Sequence, residues 1–336
     1  MDFPTDTRSL ERISSHTVDE VLGEEYDNAY GTHAVLDTLI NDRGIKRAWN
    51  GSDLIGKDVK LEKAPVGGSV AAFGAINMQA RNNDTRANFT PRVYTGPIMV
   101  DITELQRLGG KLSVGNYLRD TVKDALMALK SDMNGGNGMM GDGSARANDF
   151  VGLAGALDVT PSTGTYGGVD RSNANWRNIA TDNNATTGNL LADLRTCYNS
   201  ITFGREMPDV IFTTRLGAAI YESKLTATSR VDPTVIAKGA RAGDLGLTQF
   251  FFKGVPMVVD TELVFTYTNS ASASEYWMLN TGWWEMPTHV SGDFVRRGMQ
   301  YSATAPLVHQ DVIYWHGTVL CFGLRYQGIL FDGPAS

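Results

Sequence analysis

One stretch of the chain decides its fold: SVGNYLRDTVKDALMALKSDM, residues 113–133. Apolar residues recur in it at steps of three and four, which is the spacing of one face of an α-helix. The spacing predicts a helix of about twenty residues, roughly 30 Å long, capped by Ser113 and ended by Asn-Gly-Gly at 134–136. Such a helix needs another element packed along its apolar stripe. The stripe consists of Leu118, Val122, Ala125, Leu126, Leu129 and Met133.

A long, glycine-rich β-hairpin is expected ahead of this helix. Residues 59–63 alternate apolar and polar side chains, the period of a half-buried strand. Residues 89–94 form the returning strand after a polar tip at 81–84. A two-stranded ribbon is marginally stable alone in water, so we expect the hairpin to be stabilised by packing on a neighbour.

The remaining chain mixes helices and strands. They do not alternate as regular βαβ units, so the predicted fold class is α+β. The first 44 residues are polar apart from one apolar stretch at 34–40, which is expected to fray unless it lies on another surface. The sequence predicts helices at 101–108, 189–201 and 216–225, and strands at 210–212, 250–252, 256–259, 275–280 and through most of 307–331.

The composition is that of a globular protein. Hydrophobic residues make up 42% of the chain, and its 13 Phe, 12 Tyr and 6 Trp exclude global disorder. The 36 glycines follow no G-x-y period, which excludes collagen. The net charge of −7 argues against a sequence-specific DNA-binding module, because such modules carry a concentrated basic face.

The two cysteines, Cys197 and Cys321, cannot form a disulfide framework and indicate a reduced, intracellular protein. The N-terminus lacks the apolar core of a signal peptide. No run approaches the ~18 apolar residues of a membrane span. The sequence therefore predicts a soluble protein with no membrane partner.

Two glycine-rich motifs resemble nucleotide-binding loops. Residues 136–141 match G-x-G-x-x-G, but the dinucleotide-binding motif follows a strand and opens a helix, whereas here a helix precedes it. We interpret this run as a flexible hinge. Residues 51–58 depart from a P-loop at their last position, where Asp58 stands in place of a hydroxyl ligand for Mg²⁺, and a strand follows.

No constellation of catalytic side chains stands out. Glu285 and His289 are four residues apart, but Pro287 interrupts any helix there, and five histidines in 336 residues give no closely spaced ligand pair. Cys197 lies on the apolar face of its helix, as a packed thiol does. The chain has no Gly-x-Ser-x-Gly elbow. We therefore predict no catalytic, cofactor-binding or metal-binding residue, and no enzyme.

One charged constellation remains. Basic residues follow the hairpin, and acidic residues surround the long helix. These side chains either form a solvated face or place a basic arm on an acidic neighbouring copy, which would give orientation and specificity. The candidate contacts between subunits are Lys57, Lys60, Lys63, Arg81, Arg86, Arg92, Glu104, Asp120 and Asp124.

Several motifs after the long helix carry a family resemblance. GLAGA at 152–156, YGGVDR at 166–171 and WRN at 176–178 are similar to the stretch that opens the A-domain of many tailed-bacteriophage major capsid proteins. So is FKGVPMVVD at 252–260 followed by YWMLN at 276–280. The order of elements resembles the Hong Kong 97-type capsid fold across nearly the whole chain.

The resemblance implies a division of the chain into named parts. They are an N-terminal arm (1–44), an extended E-loop hairpin (45–95), a P-domain (96–150) with its spine helix at 113–133, an A-domain (151–305), and C-terminal strands (306–336) that complete the P- and A-domains.

The resemblance also implies a function. The chain would be the major capsid protein of a tailed double-stranded-DNA bacteriophage, located in the virion and assembled in the host cytoplasm. Copies would form hexamers and pentamers of an icosahedral shell. Its implied partners are itself, a portal protein, a separate scaffolding protein, a decoration protein and, without sequence specificity, the packaged DNA. Some relatives crosslink through a loop lysine, for which Lys57, Lys60 and Lys63 are candidates by location alone.

Two alternatives stay open. An encapsulin-like shell would use the same fold to hold a cargo enzyme. A soluble α+β enzyme would assemble a pocket from distant residues and would form a monomer or a small oligomer.

Overall fold

The computed structural model describes residues 34–62, 84–107, 111–136, 138–182, 189–224, 250–260, 275–301 and 308–331. Every statement below concerns these residues. The helices are α1 (Ala34–Asp37, continued by a π-helical turn, Thr38–Asp42), α2 (Ile102–Arg107), α3 (Lys111–Asn134), α4 (Leu153–Ala156), α5 (Leu190–Ile201) and α6 (Arg215–Lys224).

Strands make two main sheets and two short hairpins. In chain order they are β1 (Lys46–Trp49), β2 (Ile55–Lys60), β3 (Asp84–Phe89), β4 (Arg92–Asp101), β5 (Thr165–Tyr166), β6 (Val169–Asp170), β7 (Ile179–Asp182), β8 (Val210–Thr213), β9 (Phe250–Phe252), β10 (Val255–Val259), β11 (Tyr276–Leu279), β12 (Trp284–His289), β13 (Val295–Arg296), β14 (Gln300–Tyr301), β15 (Val308–Gly317), β16 (Leu320–Cys321) and β17 (Gly328–Phe331). The mixture confirms the α+β class.

The long helix is confirmed as α3. It begins at Lys111, two residues before the predicted cap, so Ser113 lies inside the helix rather than at its end. It ends at Asn134, as predicted. All six residues of the apolar stripe are buried, with Leu118, Val122 and Met133 at most 1% exposed.

The first sheet lies under α3. Its order is β1-β12-β15-β13, with β4 and β14 also paired to β15, and β16 to β12. Strand β4 runs antiparallel to β15 over its whole length, from Asp101 opposite Val308 to Arg92 opposite Gly317. Its side chains alternate, and Tyr94, Gly96, Ile98 and Val100 are buried. This sheet takes in β1 and β12–β14, which the resemblance would place in the E-loop and the A-domain.

The second sheet has the order β7-β17-β11-β8-β10-β9. Helix α5 packs on it through the face predicted from the sequence, which includes the fully buried Leu194 and Ile201. The predicted hairpin of β9 and β10 is confirmed, and its turn places Lys253 and Gly254 at positive φ.

The run at 136–141, interpreted from the sequence as a hinge, is tightly packed in its described residues. The amide of Met139 donates to the carbonyl oxygen of Met133 at 2.6 Å, and that of Leu153 donates to Met139 at 2.7 Å. A Cβ on Gly138 would lie 2.1 Å from the Met133 oxygen, and one on Gly152 would lie 2.3 Å from the Gly138 oxygen. These glycines therefore allow backbones to approach closely in a packed junction.

The apolar stretch at 34–40 does not depend on another subunit. Val35, Leu36 and Leu39 are at most 1% exposed within their own chain. The amide of Val35 donates to a carboxylate oxygen of the buried Asp260 at 3.1 Å. The stretch therefore meets the condition under which fraying was not expected, because it lies on another surface of its own chain. Residues 1–33 lie outside the described residues.

A hairpin before the helix is confirmed, and we call strands β2 and β3 the ribbon. They pair antiparallel, from Ile55 opposite Phe89 to Lys60 opposite Asp84. The first strand begins at residue 55 rather than 59. The predicted returning strand at 89–94 is wrong: the returning strand is Asp84–Phe89, and residues 92–94 belong to β4, which pairs with β15 of the first sheet. Of the predicted tip at 81–84, Asp84 lies in strand β3 instead, and residues 81–83 and their approach lie outside the described residues. Among the described helices, none is long and apolar enough to cross a membrane.

Candidate assembly surfaces

The ribbon does not bring Lys57 and Lys60 together. Side chains three apart in a strand point to opposite faces, because the period is two. Lys57 turns toward its own chain, where its Nζ lies 2.5 Å from Glu285 Oε2 and 5.3 Å from the ring centre of Phe322. Lys60 is exposed.

The exposed face of the ribbon alternates in charge. Asp58 lies opposite Arg86, and Lys60 lies opposite Asp84, all four exposed. Opposite charges directly across two strands stabilise the pairing. The described part of the ribbon is thus balanced rather than uniformly basic, which favours the solvated-face interpretation for it. Lys63 and Arg81 lie outside the described residues.

The other candidate charges lie around the first sheet and its helix. Arg92 is half-buried at the start of β4. Glu104 accepts a hydrogen bond from the hydroxyl of Tyr117 at 2.5 Å, which raises the pKa of that hydroxyl. Asp120 and Asp124 project into solvent one turn apart on α3. A contact of these residues with another copy stays a prediction.

The sequence did not reveal the apolar outer face of the first sheet. We define the outer face as Val93, Thr95, Pro97 and Met99 of β4 with their neighbours on β15. Val93 is 51% and Met99 63% exposed. The residues opposite them in register are His316, Tyr314, Val312 and Gln310. The only sequence signal for it is the alternation of side chains along 92–101. Alternation predicts a strand with two different faces, but it does not say which face another element covers.

Strand β4 also leaves one edge open. The amide of Arg297 donates to Val312, and that of His316 donates to Gly292, so the even-numbered residues of β15 bond away from β4. Hydrogen bonding alternates along an antiparallel strand. The odd-numbered residues of β4 therefore turn their backbone groups to the outside. Within the described ranges no strand pairs with them, and Pro97, which has no N–H, sits where an edge strand tolerates it.

Three rings cluster where β1, β12 and β15 meet. The rings of His289 and His316 stack with centres 5.6 Å apart, and Trp49 meets both edge-on at 5.3 and 5.1 Å. Burial, and then the proximity of His289, lower the pKa of His316. Among the described side chains no group of three could hold a metal ion.

The two thiols are packed, as predicted for Cys197. Both are fully buried, and desolvation raises the pKa of Cys197 and of Cys321 to about 12.

A polar cleft of about 330 Å³ lies between α1 and β12. Arg43, which lines this cleft, donates a hydrogen bond to the carbonyl oxygen of Asp209 at 2.6 Å. Arg43 and Asp209 therefore bind each other.

Both ends of the ribbon are tied to distant parts of the chain. The side-chain amide of Asn175 donates to the carbonyl oxygen of Leu61 at 2.7 Å and accepts from Arg325 at 2.8 Å. The amide of Asn88 donates to Gly167 at 2.8 Å. Sequence reasoning missed these contacts, because the partners stand 79 to 150 residues apart with no local pattern to link them.

Comparison with known proteins places the fold. No protein-family model and no curated protein matches the sequence. Among solved structures, the cyanophage A-1(L) capsid is 17% identical with a TM-score of 0.59, covering 85% of this chain and 90% of its own. The capsid of a native GTA particle is 12% identical (TM-score 0.56, 88% and 91% covered). The encapsulin of Synechococcus elongatus is 12% identical (TM-score 0.53, 86% and 84% covered).

These similarities extend over most of both chains. At such identities they report architecture. The chain has the Hong Kong 97-type capsid fold.

Proposed function

We propose that the chain is the major capsid protein of a tailed double-stranded-DNA bacteriophage, which self-assembles into hexamers and pentamers of an icosahedral shell. The observation that carries the proposal is the fold, shared over 85% of the chain with a cyanophage capsid subunit. We propose a structural rather than an enzymatic role.

The surface of the first sheet supports this proposal. A ten-residue strand whose outer edge pairs with no other strand among the described residues is an aggregation hazard for a free protein. Its exposed Val93 and Met99 add apolar surface beside that edge. Helix α3 lies directly over β4, since a Cβ on Gly96 would reach 3.0 Å from the Ala125 oxygen. An extended segment of a neighbouring copy would pair with the open backbone groups of this edge.

The proposed partners follow from this role. The chain would contact other copies of itself, a portal protein, a separate scaffolding protein and a decoration protein. It would reside in the virion after assembly in the host cytoplasm. Its net charge of −7 suits a container, because a strongly basic wall would hold packaged DNA and hinder its release.

An encapsulin-like shell is the second candidate, favoured by the likeness to the Synechococcus encapsulin. The two roles differ in contents. A phage capsid encloses genomic DNA behind a portal, whereas an encapsulin shell encloses protein cargo.

Electron microscopy of particles purified from the producing cell tests the proposal. We expect closed shells, or rings of five and six subunits, whose contents include nuclease-protected double-stranded DNA. Shells filled with one enzyme would replace the phage proposal with the encapsulin role. Absence of assembled particles, with a scaffolding protein or a crowding agent present, would overturn both and revive the enzyme alternative.

A further inference from the structure

We infer that Lys57, Asn175 and Arg325 are positioning residues that fix the direction of the ribbon in the free subunit. We call these three residues the ribbon clasp. Its importance for shells rests on the proposed function, whereas its effect on the ribbon can be measured before any assembly.

The first contact of the clasp holds strand β2. Lys57 Nζ lies 2.5 Å from Glu285 Oε2 on β12 and 5.3 Å from the ring centre of Phe322. The two charged side chains are 34% and 19% exposed. An ion pair that is partly desolvated and lies against a ring is more directional than a fully exposed pair. Lys57 therefore ties the ribbon to the first sheet.

The second contact holds the residue that directly follows strand β2. Asn175 donates to the carbonyl oxygen of Leu61 at 2.7 Å and accepts from Arg325 Nη1 at 2.8 Å. The guanidinium of Arg325 lies 4.1 Å from the ring centre of Phe203, which fixes it in turn. Asn175 thus bridges the ribbon backbone to a cation anchored in the body of the subunit.

The returning strand β3 is held independently. The amide of Asn88 donates to Gly167 at 2.8 Å, and the rings of Phe89 and Tyr166 meet edge-on at 5.2 Å. Gly167 has a φ of +61°, and a Cβ there would come 2.9 Å from the ring of Phe89. This loop is therefore shaped to receive β3.

Anchors on both strands restrict rotation of the ribbon about its base. A ribbon attached by one strand can pivot, whereas two lines of attachment define a direction. Ordering a segment before it binds reduces the entropy lost on binding. The clasp therefore presents the ribbon to a neighbouring copy in one orientation, which favours shells of one curvature.

Hydrogen exchange on the purified, unassembled subunit tests the clasp. In the double variant Lys57→Ala/Asn175→Ala we expect amides of 57–61 to exchange about tenfold faster or more, while those of α3 and β15 keep their rates. The matched controls are Lys60→Ala, an exposed lysine on the same strand, and Asn88→Ala, which keeps the backbone N–H. Unchanged ribbon exchange in the double variant would overturn the inference.

A milder variant separates loosening of the ribbon from destabilisation of the whole subunit. Asn175→Asp keeps the acceptor for Arg325 but removes the donor to Leu61, so it should speed exchange in the ribbon alone. If α3 and β15 also exchange faster in this variant, the residue stabilises the whole fold and the positioning role is wrong.

The assembly readout separates the two proposals. Shells of the double variant should vary more in diameter than wild-type shells. An unchanged, narrow diameter despite faster ribbon exchange would overturn the curvature role. If the wild-type protein forms no shells, the proposed function fails, while the exchange data still decide whether the clasp holds the ribbon.

Discussion

Gly96 of β4 lies directly beneath Ala125 of α3, and a Cβ at position 96 would approach the Ala125 carbonyl oxygen to 3.0 Å. Leu129 Cβ would be 3.4 Å away on the same side. The absence of a side chain at this position lets the helix settle onto the strand, and the neighbours Tyr94 and Ile98 fill the space on either side.

Gly96→Val should destabilise the subunit by about 1–3 kcal/mol, because a branched side chain would push α3 away from the sheet. Urea unfolding of the unassembled protein measures the change in the free energy of unfolding. Thr95→Val, on the exposed side of the same strand, serves as the control and should stay within about 0.5 kcal/mol of wild type. Equal stability of the Gly96 variant would refute the tight contact.

Met99→Glu should leave the subunit folded and reduce shell yield by about tenfold or more. Met99 is 63% exposed in the free chain, so a carboxylate there is solvated until a neighbouring copy covers it. Burying an unpaired charge then costs a few kcal/mol, and each 1.4 kcal/mol is about tenfold in the equilibrium.

Particle yield by gradient sedimentation checks this expectation, with circular dichroism as the test of folding. Met127→Glu is the matched control, since Met127 is 52% exposed on α3, away from the outer face. Wild-type yield from the Met99 variant would mean that the outer face stays open in the shell.

Acid should destabilise the subunit through His309. Its ring is buried, neither ring nitrogen has a hydrogen-bond partner among the described residues, and desolvation lowers the pKa of His309. The unfolded chain therefore binds the proton more readily. The stability that depends on the neutral ring is complete above the unfolded pKa of about 6.5 and declines as the pH falls through it.

Unfolding free energies between pH 5 and 8 test this effect. His309→Phe should flatten the pH dependence relative to wild type, leaving the part contributed by His316, whose pKa is lowered in the same direction. An equally steep profile in the variant would show that His309 does not contribute.

Both thiols should resist labelling in the native protein. Burial raises the pKa of Cys197 and of Cys321 to about 12, so the reactive thiolate is scarce at pH 8. A chromogenic disulfide reagent should report two thiols in denaturant and almost none in the native subunit over the same interval. Rapid native labelling of either cysteine would contradict the packing around it.

The sequence predicted the elements whose signal is local. Helices α3 and α5 repeat apolar residues at helical spacing over several turns, and all the predicted face residues are buried. The turn at Lys253-Gly254 was recognisable because it separates two short apolar runs. Each of these signals lies within about twenty consecutive residues.

The features that the sequence did not reveal depend on distant partners. Strand β1 pairs in parallel with β12, from Lys46 opposite Met286, and no pattern within residues 46–49 points to such a neighbour. The glycines at 136–141 would look the same in a hinge and in a close-packed junction. Only the approach of Gly152 to that run makes it a junction.

Charge identified the candidate contact residues, but it did not show which way their side chains point. Lys57 and Lys60 are close in sequence, yet strand geometry points them apart, and Lys57 meets Glu285 of its own chain. The outer face of the first sheet was missed because Val93 and Met99 belong to an alternating strand whose exposed side carries apolar residues.

Sedimentation velocity of the purified protein, with and without a crowding agent and a co-expressed scaffolding protein, tests the central claim most directly. The account predicts a fast, narrow boundary from closed shells, with a slower one from rings of five or six subunits. A single boundary at the 36.5 kDa of one chain under every condition would contradict it, because a shell subunit must associate with other copies of itself.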